Sequence, residues 1–591
     1  MTAPTPDGLT PTALVTEAST PAPLTPERLE ETLGDPYDDD NPYGFAAAVA
    51  RDEADAFPED LCAALRGTGF HLAYLPQEWG GSFETFDHSI ALVRAAARRD
   101  VNVMPGTMFS IIAATCLQIH GSPEQRERVA AVLREGGAVA FALSEAEHGS
   151  DLLAGEVRLA DDGTLHGEKW MVGNGSRCSA VYVVARTGER GPGAFSSFLL
   201  DLAGLPAESG GLTRAPSPRT GGMRGMDFAH LRFAGLPVPE DARVGRAGEG
   251  LEVAIKAQQA VRLMSMAGSL GIADSALRLA LDFAVERRFG RAVLSETPYA
   301  RRDLAAASAA LIAADAVALA ASRGVHALPE AFSVWGPAAK HVVAEASEEL
   351  VRRCGAVLAT RSVLRAGAPG SGLFQKLQRD AQVVRVIDAS PLANLRSYAG
   401  QIRTLAAGGA EVKPDVLESV FSPGAPLPPY RPALFDLVTR GADPVLGGLG
   451  PVADAVGEAL RGDEGPTAAL VAELAGQVAV LPALTERATA RGADPNELVD
   501  LAERYAWLHG AAACLRLWWA NRDRSLYGAA PGSPGWLGAA LGYLLARADG
   551  VDPRRRGSAL SPALDAALAL RERNRMFTAL PVVLAARRAA S

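Results

Sequence analysis

Between residues 139 and 246 the chain carries short runs that alternate in polarity or are β-branched, and helical sequence flanks them on both sides. That order limits the fold to an α+β, mostly helical architecture. VRLA, TLHGEKW and AVYVVART lie between Gly and Asp turn signals, the pattern of short antiparallel strands. Residues 27–138 read as an N-terminal helical domain, with breaks at Pro58 and Gly67 and with Ser122–Pro123 set to cap and open a helix. Residues 247–412 hold four runs (249–288, 298–323, 335–355 and 374–388) long enough for a four-helix bundle. Residues 413–433 read as a proline-rich linker, and 434–591 as an extra domain of amphipathic helices. Residues 1–26, rich in Pro and Thr, read as a disordered tail and not as a signal peptide.

A chain of 591 residues exceeds one hydrophobic core and implies two to four domains. No run of 18 uninterrupted apolar residues occurs, so no membrane span is expected. Cys62, Cys116, Cys178, Cys354 and Cys514 are widely separated, which argues against a metal site or a disulfide framework and fits a reducing cytoplasm. A net charge of −10 disfavours nonspecific nucleic-acid binding.

Two segments carry the chemistry: FALSEAEHGSD (141–151) and GEKWMVGNGS (167–176). Ser144, Gly149, Ser150, Gly173 and Gly175 are small residues at strand ends, where a flat cofactor can approach the main chain. By themselves they also suit ordinary hairpin turns.

FALSEAEHGSD resembles the signature of the acyl-CoA dehydrogenase superfamily, and GEKWMVGNG resembles its second flavin segment. Further similarities follow in the family's order: GMRGMDFAHLRFAGLPVPEDARVG (222–245), the helix 249–277 carrying Arg262, ERRFGRAV (286–293) and QRDAQVVRVIDAS (378–390). The resemblance covers about residues 40–410. It implies an N-terminal helical domain, a central antiparallel β-barrel and a four-helix bundle, here followed by the extra helical domain. It also implies FAD, held by Leu143, Ser144, Gly149, Ser150, Met171, Gly173, Arg287, Phe289, Arg352, Gly355 and Ser390. The implied substrate is an acyl thioester on coenzyme A or an acyl carrier protein, and the implied electron acceptor is a partner protein or O2. A homodimer or dimer of dimers is expected, because in the family a second subunit completes each FAD site.

The implied reaction removes an α-proton while a hydride leaves the β carbon. It needs a carboxylate base and a stabilised enolate. Counted from Arg379-Asp380-Ala381, the family's Glu falls on Asp388, and the alternative base position is Val261, which cannot serve. The resemblance makes Arg262 and Asp388 the candidate catalytic residues. Asp388 before Ala-Ser-Pro also reads as an Asx-turn or cap for the next helix. Asp is shorter than Glu by one methylene, a deficit of order 1 Å, which can cost ~10²-fold in rate.

Other positions depart from the family pattern. Gly173 stands where a Ser or Thr would place a hydroxyl near flavin N5, and its small size leaves room beside N5 and C4a. R-x-x-F-G is shortened to Arg287-Arg288-Phe289-Gly290, and Arg352, Gly355 and Ala356 stand in the Q-x-x-G-G segment. Gln259 replaces an acidic residue three before Arg262. His148 reads as a loop filler, Trp507 and Trp518-Trp519 as core or interface, and Arg554–Arg556 as a solvated charge run. Three functions follow: acyl-thioester dehydrogenation, a flavin-dependent decarboxylating oxygenation of epoxyketone type, or a partner- or nucleic-acid-binding member with little turnover.

Overall fold

The structure is a computed structural model describing residues 23–202, 208–365, 372–406, 412–441 and 443–587. The fold is α+β and mostly helical. Seven helices come first: α1 (Pro26–Leu33), α2 (Phe45–Glu53), α3 (Glu59–Gly67), α4 (Phe86–Ala97), α5 (Val103–Met108), α6 (Ile111–His120) and α7 (Pro123–Arg134). The capping residues explain where they start. Thr25 Oγ1 accepts from the Arg28 N–H at 3.2 Å, and Ser122 and Gln125 form a capping box with Pro123 in the first turn. Residues 23–26 of the expected tail are therefore folded, because Thr25 caps α1 and Leu24 O bonds the His88 ring at 2.8 Å. Residues 1–22 lie outside the described residues.

Nine strands follow: β1 (Val139–Ala142), β2 (Arg158–Leu159), β3 (Thr164–Gly173), β4 (Ala180–Arg186), β5 (Phe195–Asp201), β6 (Glu208–Ser209), β7 (Leu212–Pro216), β8 (Phe228–Pro237) and β9 (Arg243–Val244). They form one sheet in the order β6-β7-β8-β3-β2-β4-β5-β9, with β1 also paired to β4. Most pairings are antiparallel, but β1 and β2 both run parallel to β4. The sheet has its own core, including Val181, Val183, Phe198, Leu231 and Phe233. The β3–β8 register shifts between Lys169 and Val172, a bulge that re-aims the end of β3.

The bundle comprises α8 (Gly250–Glu286), α9 (Pro298–Ala327), α10 (Phe332–Leu358) and α11 (Leu373–Val386). A small hairpin, β10 (Arg288–Phe289) and β11 (Ala292–Val293), joins α8 to α9. Shorter helices α12 (Pro391–Ala399), α13 (Ile402–Ala406) and α14 (Pro414–Phe421) lead to the C-terminal region, where α15 (Leu449–Ala459), α16 (Thr467–Ala479), α17 (Leu481–Ala488), α18 (Pro495–Ala520), α19 (Gly535–Ala548) and α20 (Gly557–Glu572) follow. Helices α18, α19 and α20 pack on α9 and α10.

Three expectations need correction. Residues 413–433 are no free linker. They include α14, and the Arg323 guanidinium donates to Val420 O, Ser419 O and Ala425 O at 2.7–3.0 Å. Proline removes backbone donors but leaves these carbonyls to accept from a buried cation. The Arg554–Arg556 run is engaged, with Arg554 on Asp552 and Asp303 and Arg556 on Glu473. Finally, three stretches (Val103–His120, Pro298–Ala327 and Thr467–Ala488) are long and apolar enough to cross a membrane by length and composition alone. The Pro298–Ala327 window is wholly buried in protein, and its alanines let α8 and α10 approach closely.

Candidate functional site

Asp388 stands in the turn between α11 and α12, where Asp388 and Ala389 both hold positive φ (60° and 121°). For non-glycine residues such backbone is costly, of order 1–3 kcal/mol each, and it persists only where the surroundings impose it. Capping falls to Ser390, whose Oγ accepts from the Ala393 N–H at 3.3 Å, so Asp388 does not cap α12. Asp388 is half-buried. Burial pushes its carboxyl up to about 6, against the pull of Lys340, Arg262 and the Ser265 hydroxyl.

The cations come from the facing helices α8 and α10. Arg262 is 7% exposed, and burial pulls it down to about 10 while Asp388 opposes the fall. Its Nε is buried without a hydrogen-bond partner, a demand that a bound group can meet. Lys340 is fully buried, and burial pulls it down to about 8 although Asp388 lies nearby. Its ammonium donates to Val384 O at 2.8 Å, in the last turn of α11, where a cation is favoured by the helix dipole. Helix α11 is itself fixed by Asp380, which accepts from the Met223 N–H at 2.6 Å and pairs with Lys376 at 2.6 Å. Val261 is a buried apolar residue, and Gln259 is committed to Asp436 O at 3.0 Å.

The two flavin-type segments meet at the edge of the sheet. The Trp170 N–H donates to Ser144 O at 2.9 Å, and the Lys169 ammonium donates to Leu143 O at 2.8 Å and to Glu145 at 2.7 Å. Glu145 also accepts from the N–H groups of Glu156 and Val157. Burial raises the Glu145 carboxyl, but Lys169 and these N–H groups outweigh it and hold it below the usual carboxylate range. Leu143 is buried, whereas Ser144, Gly149 and Ser150 form an exposed edge with two hydroxyls, a donor set that fits a flat polar ring. Met171 is half-buried with φ 53°. His148 lies within 4.0 Å of Glu145 and Glu156. The room expected beside Gly173 is taken: a Cβ there would lie 2.2 Å from Phe109 Cδ2.

The remaining candidates are not brought to these two places. Arg287 is exposed on the β10–β11 hairpin with Phe289, itself 65% exposed. One continuous helix separates Arg262 from Arg287, and 25 residues rise roughly 37 Å, more than the width of a small domain. Arg352 is 67% exposed on α10, and Gly355 packs toward the Phe374 ring. Sequence reasoning missed Lys340, the Glu145–Lys169 pair and Phe109. Glu145 and Lys169 stand inside the two motifs, and Lys340 interrupts the apolar run WGPAAKHVV; only Phe109 leaves no signal.

Residues 45–136, 140–236 and 248–388 match the N-terminal, middle and C-terminal domains of acyl-CoA dehydrogenase, in that order and over more than half of the chain. The chain belongs to the acyl-CoA dehydrogenase superfamily. Among similar proteins, the probable acyl-CoA dehydrogenase FadE25 of Mycobacterium tuberculosis is 29% identical over 252 residues, 42% of this superfamily member and 64% of FadE25. The match thus spans just under two thirds of that relative. Butyryl-CoA dehydrogenase from Megasphaera elsdenii shares the fold with a TM-score of 0.56 at 22% identity, over 60% of this chain and 93% of its own. The prolyl acyl carrier protein oxidase AnaB does so with a TM-score of 0.54 at 18% identity, over 60% and 92%.

Proposed function

We propose that this acyl-CoA dehydrogenase superfamily member is an FAD-dependent oxidoreductase that introduces an α,β double bond into an acyl thioester carried by coenzyme A or an acyl carrier protein. The observation that carries the reading is the Asp388 carboxyl, set in a strained turn after α11, pushed up to about 6 by burial and pulled the other way by Lys340 and Arg262. A base with a pKa near the working pH combines availability with driving force. Asp388 takes the α-proton, and its strained turn supplies the re-aiming that a side chain one methylene shorter than Glu requires. Arg262 and Lys340 keep the carboxyl ionised near neutral pH and offset negative charge as it develops. Bound FAD, held by the 143–150 edge and the end of β3, would accept the hydride from the β carbon.

The hairpin carrying Arg287 and Phe289 lies too far along α8 to serve the ring beside its own Arg262, and its exposed Phe favours delivery to a second copy. A homodimer or dimer of dimers is part of this reading. Electrons leave to a partner redox protein. The oxygenase alternative drew on Asp in place of Glu at 388, on the hydroxyl missing at Gly173 and on open space beside it; Phe109 fills that space and bears on the last ground alone.

The test is anaerobic titration of the FAD-loaded protein with a panel of acyl-CoA and acyl-carrier-protein thioesters. Loss of visible flavin absorbance with release of the α,β-unsaturated thioester is expected. A flavin-replete protein that no thioester in the panel bleaches would overturn the reading.

A further inference from the structure

Gly173 is a glycine for a reason other than its backbone. The nearby non-glycine residues Met171 and Asn174 hold positive φ values of 53° and 58°, whereas Gly173 does not and ends β3 paired with Phe228. What residue 173 lacks is space. A Cβ there would stand 2.2 Å from Cδ2 and 2.6 Å from Cε2 of Phe109, far inside contact distance. Phe109 occupies the break between α5 and α6, and that break is fastened on both sides. Asn174 Nδ2 donates to Pro105 O at 2.9 Å, and the Val139 N–H donates to Ser110 Oγ at 2.9 Å. The ring is thus held in the volume that a side chain at 173 would fill, and it remains half-buried, with part of its surface free of protein.

We propose that Phe109 determines electron-acceptor specificity: its ring replaces the missing side chain of residue 173 as an apolar wall at the reacting edge of the flavin site. It keeps small reactants such as O2 from that edge, so that re-oxidation falls to an acceptor that need not enter this space. The inference rests on the reading above that residues 143–150 and 171–173 hold the flavin ring. An aromatic wall offers neither a hydrogen bond nor room for water, which a Ser or Thr with a smaller neighbour would.

Two probes of the FAD-loaded protein test it without any acyl substrate. Sulfite adds its lone pair to flavin N5, forming an N–S bond while the ring takes up the electron pair and a proton. O2 removes two electrons and two protons from dithionite-reduced protein and leaves as H2O2. Phe109→Ala should raise sulfite affinity and the O2 re-oxidation rate by about tenfold or more, the scale set by opening a few methylene volumes in a pocket. Phe109→Ala/Gly173→Leu refills the space with an apolar side chain from the other side and should return both toward wild type. Gly173→Ala alone should lower FAD content and Tm, and adding Phe109→Ala should recover them non-additively. Unchanged sulfite and O2 reactivity in flavin-replete Phe109→Ala overturns the inference and leaves the flavoenzyme reading intact. Wild-type protein that cannot be loaded with FAD overturns both.

Discussion

Two clusters of buried charge lie in the helical body, and they behave in opposite ways. In the first, Asp388 feels the charges of Lys340 and Arg262, the Arg262 Nε has no partner among the described residues, and burial raises the carboxyl to about 6. In the second, Glu30, Asp274 and Asp315 meet Arg94, Arg98 and Arg99 beneath the chain that follows α20. Arg98 pairs with Glu30 at 2.9 Å and with Asp274 at 2.7 Å, Arg99 pairs with Glu30 at 2.7 Å, and Arg94 pairs with Asp315. The final segment closes this cluster with backbone donors: the N–H groups of Phe577, Ala579 and Ala585 reach Asp274, Asp315 and Glu30 at 2.8–3.2 Å. Burial raises the Asp274 carboxyl, but Arg98, Arg278 and Arg94 outweigh it and hold it below the usual range. Asp388 is half-buried, whereas Glu30, Asp274 and Asp315 are almost wholly buried. What differs is the supply of partners to the carboxylates: Glu30, Asp274 and Asp315 accept from arginines and backbone N–H groups, although Arg94, Arg99 and Arg278 keep buried nitrogens without partners among the described residues.

The sharpest way to break this contrast is Asp388→Asn. It should lower flavin reduction by ~10³-fold or more with FAD content unchanged, as expected for loss of a positioned base. Wild-type reduction rates in this variant would make the first cluster structural after all.

Asp274→Asn should leave the chemistry alone and cost about 3–5 kcal/mol of stability, because it strands buried arginines. Urea unfolding measures this, and a loss below about 1 kcal/mol would remove the second cluster's structural role. Stability should also respond to pH with opposite sign at the two sites. The Asp388 carboxyl is raised, so its contribution is present below the ordinary carboxylate range and lost as pH rises through about 6. The Asp274 carboxyl is lowered, so its contribution is present above that range and lost as pH falls below it.

Smaller effects sharpen the picture. Flavin reduction should follow a bell-shaped pH profile with limbs near 6 and near 8, belonging to the coupled Asp388 and Lys340. Lys340→Met should move the acid limb upward, abolish the alkaline limb and slow reduction at neutral pH by roughly tenfold. A profile with both limbs in place would exclude Lys340 from the site. Ser265→Ala removes one hydroxyl that favours the ionised carboxyl, and its only expected effect is a slight upward move of the acid limb.

Much of this was legible in the sequence. Turn signals and alternation marked the strands, and caps such as Ser122–Pro123 marked helix starts, because both depend on neighbours within a few residues. Asp388 became a candidate through the family resemblance, which sets the base position by its distance from Arg379-Asp380-Ala381. The cap assigned to Asp388 fell instead to Ser390, two residues on, a difference only backbone geometry reveals. The pinned segment 413–433 escaped detection because its anchor, Arg323, lies about ninety residues earlier on α9. The Arg554–Arg556 run misled for the same reason: Asp303 and Glu473 are distant in sequence.

Local order, then, was written in the chain: helix and strand periods, capping residues, glycine positions and the segments that suit a flat cofactor all depend on short-range sterics and hydrogen bonding. The three-dimensional packing decided what those residues became. It left Asp388 half-buried without an ion pair among the described residues, gave Asp274 several, and set the Phe109 ring where residue 173 has no side chain. Desolvation, charge pairing and excluded volume act between surfaces that meet only on folding, and no spacing along the chain encodes them.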